Sequence, residues 1–348
     1  MCKEFAENSS GGTIVEISAF VRLILSQWSC KHSNFGVTCG TMSRIHVIVS
    51  VNPKAGRKSP MIRAEELCAC LQKKGFTAEL LTDLDEVTEK ANTLHSAGTL
   101  RALVGVGGDG TAATLVNRTK PGTPITLLGA GTANLLAKHF RIPFRPDKLA
   151  DLIERGTVRT FDAGLARSGN TERLFLVMVS CGFDAHVVNG VHTHREERYR
   201  LGHAKGAHIS YFSYIKPILK SLCQYKFPKM TVECLDEPAL SLPDLRWAFI
   251  FNMNRYGWGL PLAPFAKEND GVLDHVLFRG GTVFHGAFYV ALAQCFSLHR
   301  FLPTARLGQQ TRYRITSDEP VPFQLDGDPG GELPLEIEVV PNRFAFLV

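Results

Sequence analysis

Apolar and polar positions follow two regimes along the chain. From Ile45 to about residue 160, short apolar runs are each followed by an amphipathic stretch: "IHVIVSVN" then "RAEELCACLQKKG", "TAELLTD" then "VTEKANTLHSAG", "RALVGVGG" then "TAATLVNR", "PITLLGAG" then "TANLLAKHF". Apolar runs this short suit strands buried on both faces, with the amphipathic stretches as covering helices, so the pattern predicts βα units around a parallel sheet. Beyond residue 160 the runs turn β-rich ("RLFLVMVSCGFDA", "KMTVECLD", "LRWAFIFNMNR", "GVLDHVLFR", "TRYRITS", "LPLEIEVV") and are separated by turn residues. That predicts an antiparallel sandwich or barrel-like domain. Helical patterning there stands out only in "GAHISYFSYIKPILKSL" and "VFHGAFYVALAQCF".

Residues 1–43 show no sustained periodicity and precede the strand start at "MSRIHVIVSVN". They are read as an N-terminal extension, with Met42 the expected native start. The expected domains are therefore an α/β domain over 44–160 and a β-rich domain over 161–348.

Composition narrows the class. The 348 residues are 45% hydrophobic and 21% charged, which excludes global disorder and suffices for two packed domains. A net charge of +6 suits a phosphorylated substrate or an anionic membrane surface, but it is too evenly spread to argue for nucleic acid, and no nucleic-acid-reading motif accompanies it. The 9 cysteines form no CxxC pair and no zinc spacing, so reduced thiols in a cytoplasmic protein are expected. The apolar run "TIVEISAFVRLILSQW" is interrupted by Glu16 and Arg22, falls short of the ~20 residues that span a bilayer, and lacks the order of a signal peptide.

Glycine marks the turns after the first, third and fourth predicted strands: "VNPKAGRKS" (51–59), "GGDGT" (107–111) and "GAGTAN" (129–134). In an open α/β sheet ligands bind beyond the carboxyl ends of the strands, and glycine lets backbone N–H groups approach an anion at a helix N-terminus. Each turn alone could simply be a tight βα connection. Three together predict a phosphate cradle. Gly105-x-Gly107-x-x-Gly110 matches a dinucleotide fingerprint, but it lies on the third strand rather than the first and lacks the following ribose-binding acid. No Gly-Lys-Ser/Thr closes a Walker loop, and the protein-kinase signatures are missing.

In order and spacing, Asn52-Pro53-x-x-Gly56, Gly107-Gly108-Asp109-Gly110-Thr111 and Gly131-Thr132-Ala133-Asn134 resemble the catalytic domain of the diacylglycerol kinase family, which includes sphingosine and ceramide kinases. The resemblance continues through "CGFDAHVV" (181–188), "YGWGLPLAPFAKENDGVLDHVLF" (256–278) and "FQLDGDPGGELPLEIEVVP" (323–341), and so covers about 44–348. It implies an NAD-kinase-like ATP-binding α/β domain, a β-rich antiparallel sandwich that receives a lipid, and phosphoryl transfer from ATP with Mg²⁺ to a lipid hydroxyl in the cleft between them. The chain's last segment is expected to return to the first domain, as is common in the family.

The resemblance also distributes roles. Asn52, Pro53, Gly56, Thr82, Gly107, Gly108, Asp109, Gly110, Thr111, Gly131, Thr132 and Asn134 are expected to bind the nucleotide. Asp109 would position Mg²⁺ or the attacking hydroxyl, or serve as a helix cap. Asp328, in "LDGDP", stands where the family usually has a glutamate general base. The alternative for it is an ordinary Asp-Gly-Asp-Pro turn. Asp184 would face the lipid head group or cap a turn, and Asp270 with the carbonyls of Lys267 and Val272 would hold a structural Mg²⁺ or form a plain hairpin turn. The histidines of "VHTHREERYRLGHAKGAHISYF" match no zinc pattern, and Arg195, Arg198, Arg200 and Lys205 there suggest a basic lid or lipid-facing surface near anionic head groups.

Three departures stand out. Ala113 and Thr114 replace the Asn-Glu that commonly follows Gly-Gly-Asp-Gly-Thr-x, Leu135 replaces a polar residue, and Asp328 is one methylene shorter than glutamate. The leading expectation is a diacylglycerol kinase of the compact bacterial form, making phosphatidic acid at the inner face of the membrane as a cytoplasmic, peripherally bound protein, with a homodimer suggested by relatives. The alternatives are a nucleotide-binding family member without catalysis, or a kinase for another lipid.

Overall fold

The computed structural model describes residues 44–51, 60–131, 133–200, 225–236, 239–254, 256–257, 260–295 and 297–348, with only the backbone described for 195–200. The first half supplies β1 (His46–Val51), α1 (Pro60–Lys73), β2 (Thr77–Leu81), α2 (Leu84–Ser96), β3 (Leu100–Gly107), α3 (Asp109–Arg118), β4 (Pro124–Gly129), α4 (Leu135–His139) and α5 (Pro146–Arg155). The strands form a parallel sheet in the order β2-β1-β3-β4. Their near-continuous Val, Ile and Leu are buried because helices cover both faces, as the pattern predicts.

The second half is mostly antiparallel. β5 (Val158–Ser168) and β6 (Thr171–Phe175) form a hairpin, then follow β7 (Met178–Gly182), α6 (Phe183–Arg200), β8 (Met230–Cys234), β9 (Leu240–Leu245), β10 (Trp247–Phe251), β11 (Leu273–Phe278), α7 (Val283–Gln294), a short 3₁₀ turn (Leu298–Phe301), β12 (Ala305–Gln310), β13 (Arg312–Thr316), β14 (Pro322–Leu325), β15 (Asp328–Glu332) and β16 (Leu335–Leu347). One sheet runs β12-β11-β10-β7-β14-β15. The other strands join the first sheet.

The join is made by β16. Its first part pairs antiparallel with β13 (Ile337↔Tyr313), while its last residues lie parallel to β4 (Ala345↔Pro124, Phe346↔Ile125). Along both parts it pairs with β5, with a register shift between Val340 and Phe344. Asn342 sits in that shift at φ +51°, and its N–H donates to buried Asp162 at 2.8 Å. Asp162 also accepts the Gly271 N–H at 2.7 Å, so one carboxylate fixes both the bend and the turn before β11.

α6 is an element the sequence reading passed over. Phe183, Val187 and Val191 repeat at four-residue spacing and are all buried, which is the helical signal. Gly190, Thr193 and the interspersed polar and histidine positions obscure that signal in the sequence, and the basic residues of the expected lid, Arg195, Arg198, Arg200 and Lys205, lie outside the described side chains. The other predicted helix of this half, "GAHISYFSYIKPILKSL", lies outside the described residues.

β11 carries one costly buried group on the face turned away from the other sheet. Asp274 is buried; Gln309 donates to its Oδ1 at 3.2 Å, whereas its Oδ2 has no partner. Burial pushes its carboxyl up to about 6, and burial lowers the neighbouring His275 to about 4. Above pH ~6 the folded state bears the full cost of the buried charge. Below it the native protein takes up the proton before the unfolded chain does, down to the ordinary carboxyl range near 4. Asp274→Asn should therefore raise the melting temperature at pH 7.5, and thermal denaturation at pH 4 should show that gain gone.

Candidate active site

β3 ends at Gly107 and α3 begins almost at once, so the chain must turn sharply beneath the fourth strand's loop. The two loops touch through backbone. A Cβ built on Gly131 would stand 2.6 Å from the Gly108 Cα, and one on Gly107 would stand 2.0 Å from Thr111 Oγ1. Ala130 donates its N–H to the Gly107 carbonyl at 2.8 Å. Asn134, at φ +48°, closes the second loop by donating to the Gly131 carbonyl at 2.9 Å and accepting the Gly131 N–H at 3.0 Å. Gly108 caps α3 with no side-chain acceptor, and while the Thr111 N–H turns back to the Gly108 carbonyl at 3.0 Å, the Gly110 N–H at the helix start is suited to an anion.

Asp109 joins the same two loops. Its Oδ2 accepts the Leu135 N–H at 2.9 Å and its Oδ1 the Leu136 N–H at 2.8 Å. This is the helix-cap use of the carboxylate, made to α4 rather than to its own helix. Burial raises its carboxyl above the ordinary range, opposed by these two N–H donors. Thr114, in the place of the expected glutamate, turns its hydroxyl onto the Gly110 carbonyl at 2.8 Å, and Ala113 is buried.

The turn between β14 and β15 places the second acid. Asp326 (φ +52°) accepts N–H bonds from Leu176, Val177 and Met178 at 2.7, 2.8 and 3.0 Å, which pins the turn to the β6–β7 connection. Burial pushes its carboxyl up to about 6 against those donors. Two residues on, the half-exposed Asp328 meets Arg173 Nη2 at 2.9 Å through Oδ2. A Cβ on Gly110 would stand 3.8 Å from that oxygen, so Asp328 lies over the start of α3. His192, on α6, has its Nε2 3.2 Å from the Gly327 carbonyl and 3.8 Å from Asp328 Oδ1.

Asp184 begins α6 on the other side of this turn. It accepts the hydroxyls of Ser180 and Tyr256 and the Gln324 amide at 3.3 Å. Burial raises its carboxyl, and these donors oppose the shift. Gln324 also donates to Ser180 Oγ at 2.9 Å and accepts the Gly327 N–H at 2.7 Å. Asp184 and the Asp326–Asp328 turn are thus the two ends of one hydrogen-bonded chain.

The structure therefore brings Gly107, Gly108, Asp109, Gly110, Thr111, Gly131, Asn134, Asp184 and Asp328 into one region. Thr82 is exposed directly after β2, the edge strand of the parallel sheet. Asn52, Pro53, Gly56 and Thr132 lie outside the described residues. Asp270 and Lys267 are exposed on the turn before β11, where the Asp270 carboxylate accepts the Val272 N–H at 3.4 Å, the geometry of a plain turn. Among the described residues no group of three or more His, Cys, Asp or Glu could hold a metal.

Arg173, Tyr256 and Gln324 receive no role from the sequence, and His192 is read there only as part of a lipid-facing segment. Each reaches the site from a separate strand, helix or loop, so no spacing marks them.

Comparison with known proteins gives a consistent picture. Residues 46–166 match the diacylglycerol kinase catalytic domain, and residues 177–348 match the YegS C-terminal NAD kinase beta sandwich-like domain. The chain is 27% identical over 321 residues to a diacylglycerol kinase found in two strains of Mycobacterium tuberculosis (CDC 1551 / Oshkosh and ATCC 25618 / H37Rv), covering 86% of this chain and 94% of the relative. The crystal structure of a diacylglycerol kinase from Bacillus anthracis str. Sterne superposes with a TM-score of 0.61 at 19% identity, over 87% of this chain and 96% of that one, a likeness of fold.

Proposed function

Because the chain belongs to the family of diacylglycerol-kinase-like lipid kinases, we propose that it transfers the γ-phosphoryl group of ATP to the free hydroxyl of diacylglycerol, yielding phosphatidic acid. The observation that carries this reading is the position of Asp328, beside Gly110 at the uncapped start of α3 and hydrogen-bonded through its own turn toward Asp184.

Phosphoryl transfer asks the protein for an in-line hydroxyl, anion-binding donors and a carboxylate near the nucleophile. The Gly110 N–H at the start of α3 would bind a phosphate oxygen, and the Gly108–Gly131 contact keeps that surface open and rigid. Arg173 engages Asp328 Oδ2, which leaves Oδ1, 3.8 Å from His192 Nε2, as the oxygen that would accept the hydroxyl proton. A general base must come within ~3 Å of that hydroxyl. Tyr256 and Asp184 would orient the acceptor's polar end. Mg²⁺ would enter this site with the nucleotide, where Asp328 is the half-exposed carboxylate beside Gly110. There it would neutralise phosphate charge.

Diacylglycerol resides in membranes, so the enzyme would work at a bilayer surface on the cytoplasmic side. Among the described residues no helix is long and apolar enough to cross a membrane.

Incubation with γ-labelled ATP, Mg²⁺ and detergent-dispersed lipid extract tests the reading. Label migrating as phosphatidic acid supports it. Label in another lipid identifies a different acceptor, and nucleotide binding without lipid product identifies a member of the family that lacks catalysis.

Gly131→Ala tests the cradle. Its new Cβ would collide with backbone that cannot rotate away, an overpacking that costs ~1–3 kcal/mol. Isothermal titration should show ATP affinity reduced by at least about tenfold, the equivalent of ~1.4 kcal/mol, with a lower melting temperature.

A further inference from the structure

Residues 275–317 contain no aspartate or glutamate, but they include Arg279, Arg300, Arg306, Arg312 and Arg314. Within this stretch lie α7 and the 3₁₀ turn, and they leave large apolar side chains in solvent. Phe284 is 87% exposed, Phe301 69% and Phe288 51%, with Val290 and Leu298 beside them in sequence and also exposed. Phe265, 61% exposed, is tied to this face by Arg300, whose guanidinium lies 5.6 Å from its ring centre and 4.6 Å from that of Phe301. A contiguous exposed apolar surface of this kind marks an interaction site.

The inner side of the same helix is fixed. Gly286 lies against Trp247 so closely that a Cβ would stand 2.6 Å from the indole, and buried Tyr289 stacks on Phe278 at 4.1 Å. Phe278 meets Phe249 edge-on, Phe249 meets Tyr256 at 5.6 Å, and the Tyr256 hydroxyl donates to Asp184. A packed aromatic path therefore connects the exposed face with the acid placed at the lipid's polar end.

We propose that the face formed by α7, the Leu298–Phe301 turn and Phe265 is the surface on which this protein docks onto an anionic lipid bilayer. The proposal rests on the reading of a lipid acceptor. Aromatic rings flanked by arginine suit the headgroup boundary, where rings enter the acyl region and guanidinium groups meet phosphates. A second copy is the poorer fit. Arg312 and Arg314 pair with Asp236, Glu233 and Glu336 on the other sheet, but Arg300 lies among the exposed rings, and a two-fold contact would set it against its own copy with no aspartate or glutamate from 275–317 to neutralise it.

The test is co-sedimentation of the full chain with vesicles of equal parts phosphatidylcholine and phosphatidylglycerol, and with phosphatidylcholine alone. Neither contains diacylglycerol, so binding is read apart from catalysis. The wild type should bind the mixed vesicles and release them as salt rises. The triple variant Phe284→Ser/Phe288→Ser/Phe301→Ser should bind at least about tenfold more weakly. Arg300→Glu should lose about tenfold on mixed vesicles while changing little on phosphatidylcholine. Both variants should keep phosphorylating a short-chain, water-dispersed diacylglycerol, with unchanged circular dichroism.

Equal vesicle binding by wild type and variants, or none by the wild type, overturns the proposal. So does a wild-type dimer that becomes a monomer in the triple variant, which would assign the face to self-association. Loss of vesicle binding in the variants with no phosphorylation of diacylglycerol by any form would keep the docking surface and remove the acceptor reading.

Discussion

Asp328→Ala should lower the rate of lipid phosphorylation by about 10²–10⁴-fold, the range for loss of a positioned general base, while leaving ATP affinity within a few-fold of wild type. The carboxylate stands at the mouth of the phosphate-binding turn rather than inside it, with Arg173 on one oxygen and Gly110 nearby. Removing it takes away the group that accepts the hydroxyl proton and leaves the Gly110 N–H of α3 in place. Initial rates at saturating ATP, set beside titration calorimetry, separate the two effects. Asp328→Asn supplies the control, since it keeps the side chain's size but cannot take a proton. It should be nearly as slow as the alanine variant. Asp328→Glu should recover most of the rate, because a longer side chain reaches the same hydroxyl and Arg173 can still pair with it. If Asp328→Ala retained wild-type activity, the turn would be only a turn and the base would have to be sought elsewhere, with His192, whose Nε2 lies 3.8 Å from Asp328 Oδ1, the first side chain to replace.

The sequence made the architecture legible wherever one element buries its own pattern. Four apolar runs with amphipathic partners announced β1 to β4 with α1 to α4, because a parallel sheet needs hydrophobic residues on both faces. The glycines announced the 107–111 and 129–134 loops for a related reason: only glycine permits the Gly108–Gly131 approach. Long-range pairings were not legible. Arg173 and Asp328 are 155 positions apart and meet because β16 and β5 bind the halves into one sheet and Asp326 pins its turn to Leu176, Val177 and Met178. Nothing local to "TERLF" or "LDGDP" records that meeting. The residues before the expected lid carry a helical spacing, in which buried Val187 and Val191 bring His192 beside Gly327. The basic side chains on which the lid expectation rests, Arg195, Arg198, Arg200 and Lys205, lie outside the described side chains.

Asp109 presents the sharpest contrast between motif and geometry, and its removal has the second large expected effect. Within Gly-Gly-Asp-Gly-Thr the carboxylate suggests metal or hydroxyl chemistry, yet both of its oxygens accept backbone N–H groups of α4. Asp109→Ala would leave the Leu135 and Leu136 donors without these charged acceptors at a largely buried loop contact, at a cost of about 2–4 kcal/mol. The melting temperature should therefore fall in nucleotide-free, EDTA-treated protein, by roughly 2–4 °C for each kcal/mol in a domain of this size. Asp109→Asn keeps one acceptor oxygen and turns an N–H₂ toward the other donor, so its loss should be intermediate. Activity should fall in both variants because the Gly131 loop, held from below by this carboxylate, forms half of the phosphate cradle. A residue whose main task was to hold Mg²⁺ would behave differently: its alanine variant would melt like wild type in EDTA, and the defect would appear as a raised Mg²⁺ requirement in the assay. Thermal denaturation in EDTA with a parallel Mg²⁺ titration of activity thus distinguishes the two uses of one side chain. The hydrogen bonds on Asp109 lead us to expect the loss in the first experiment.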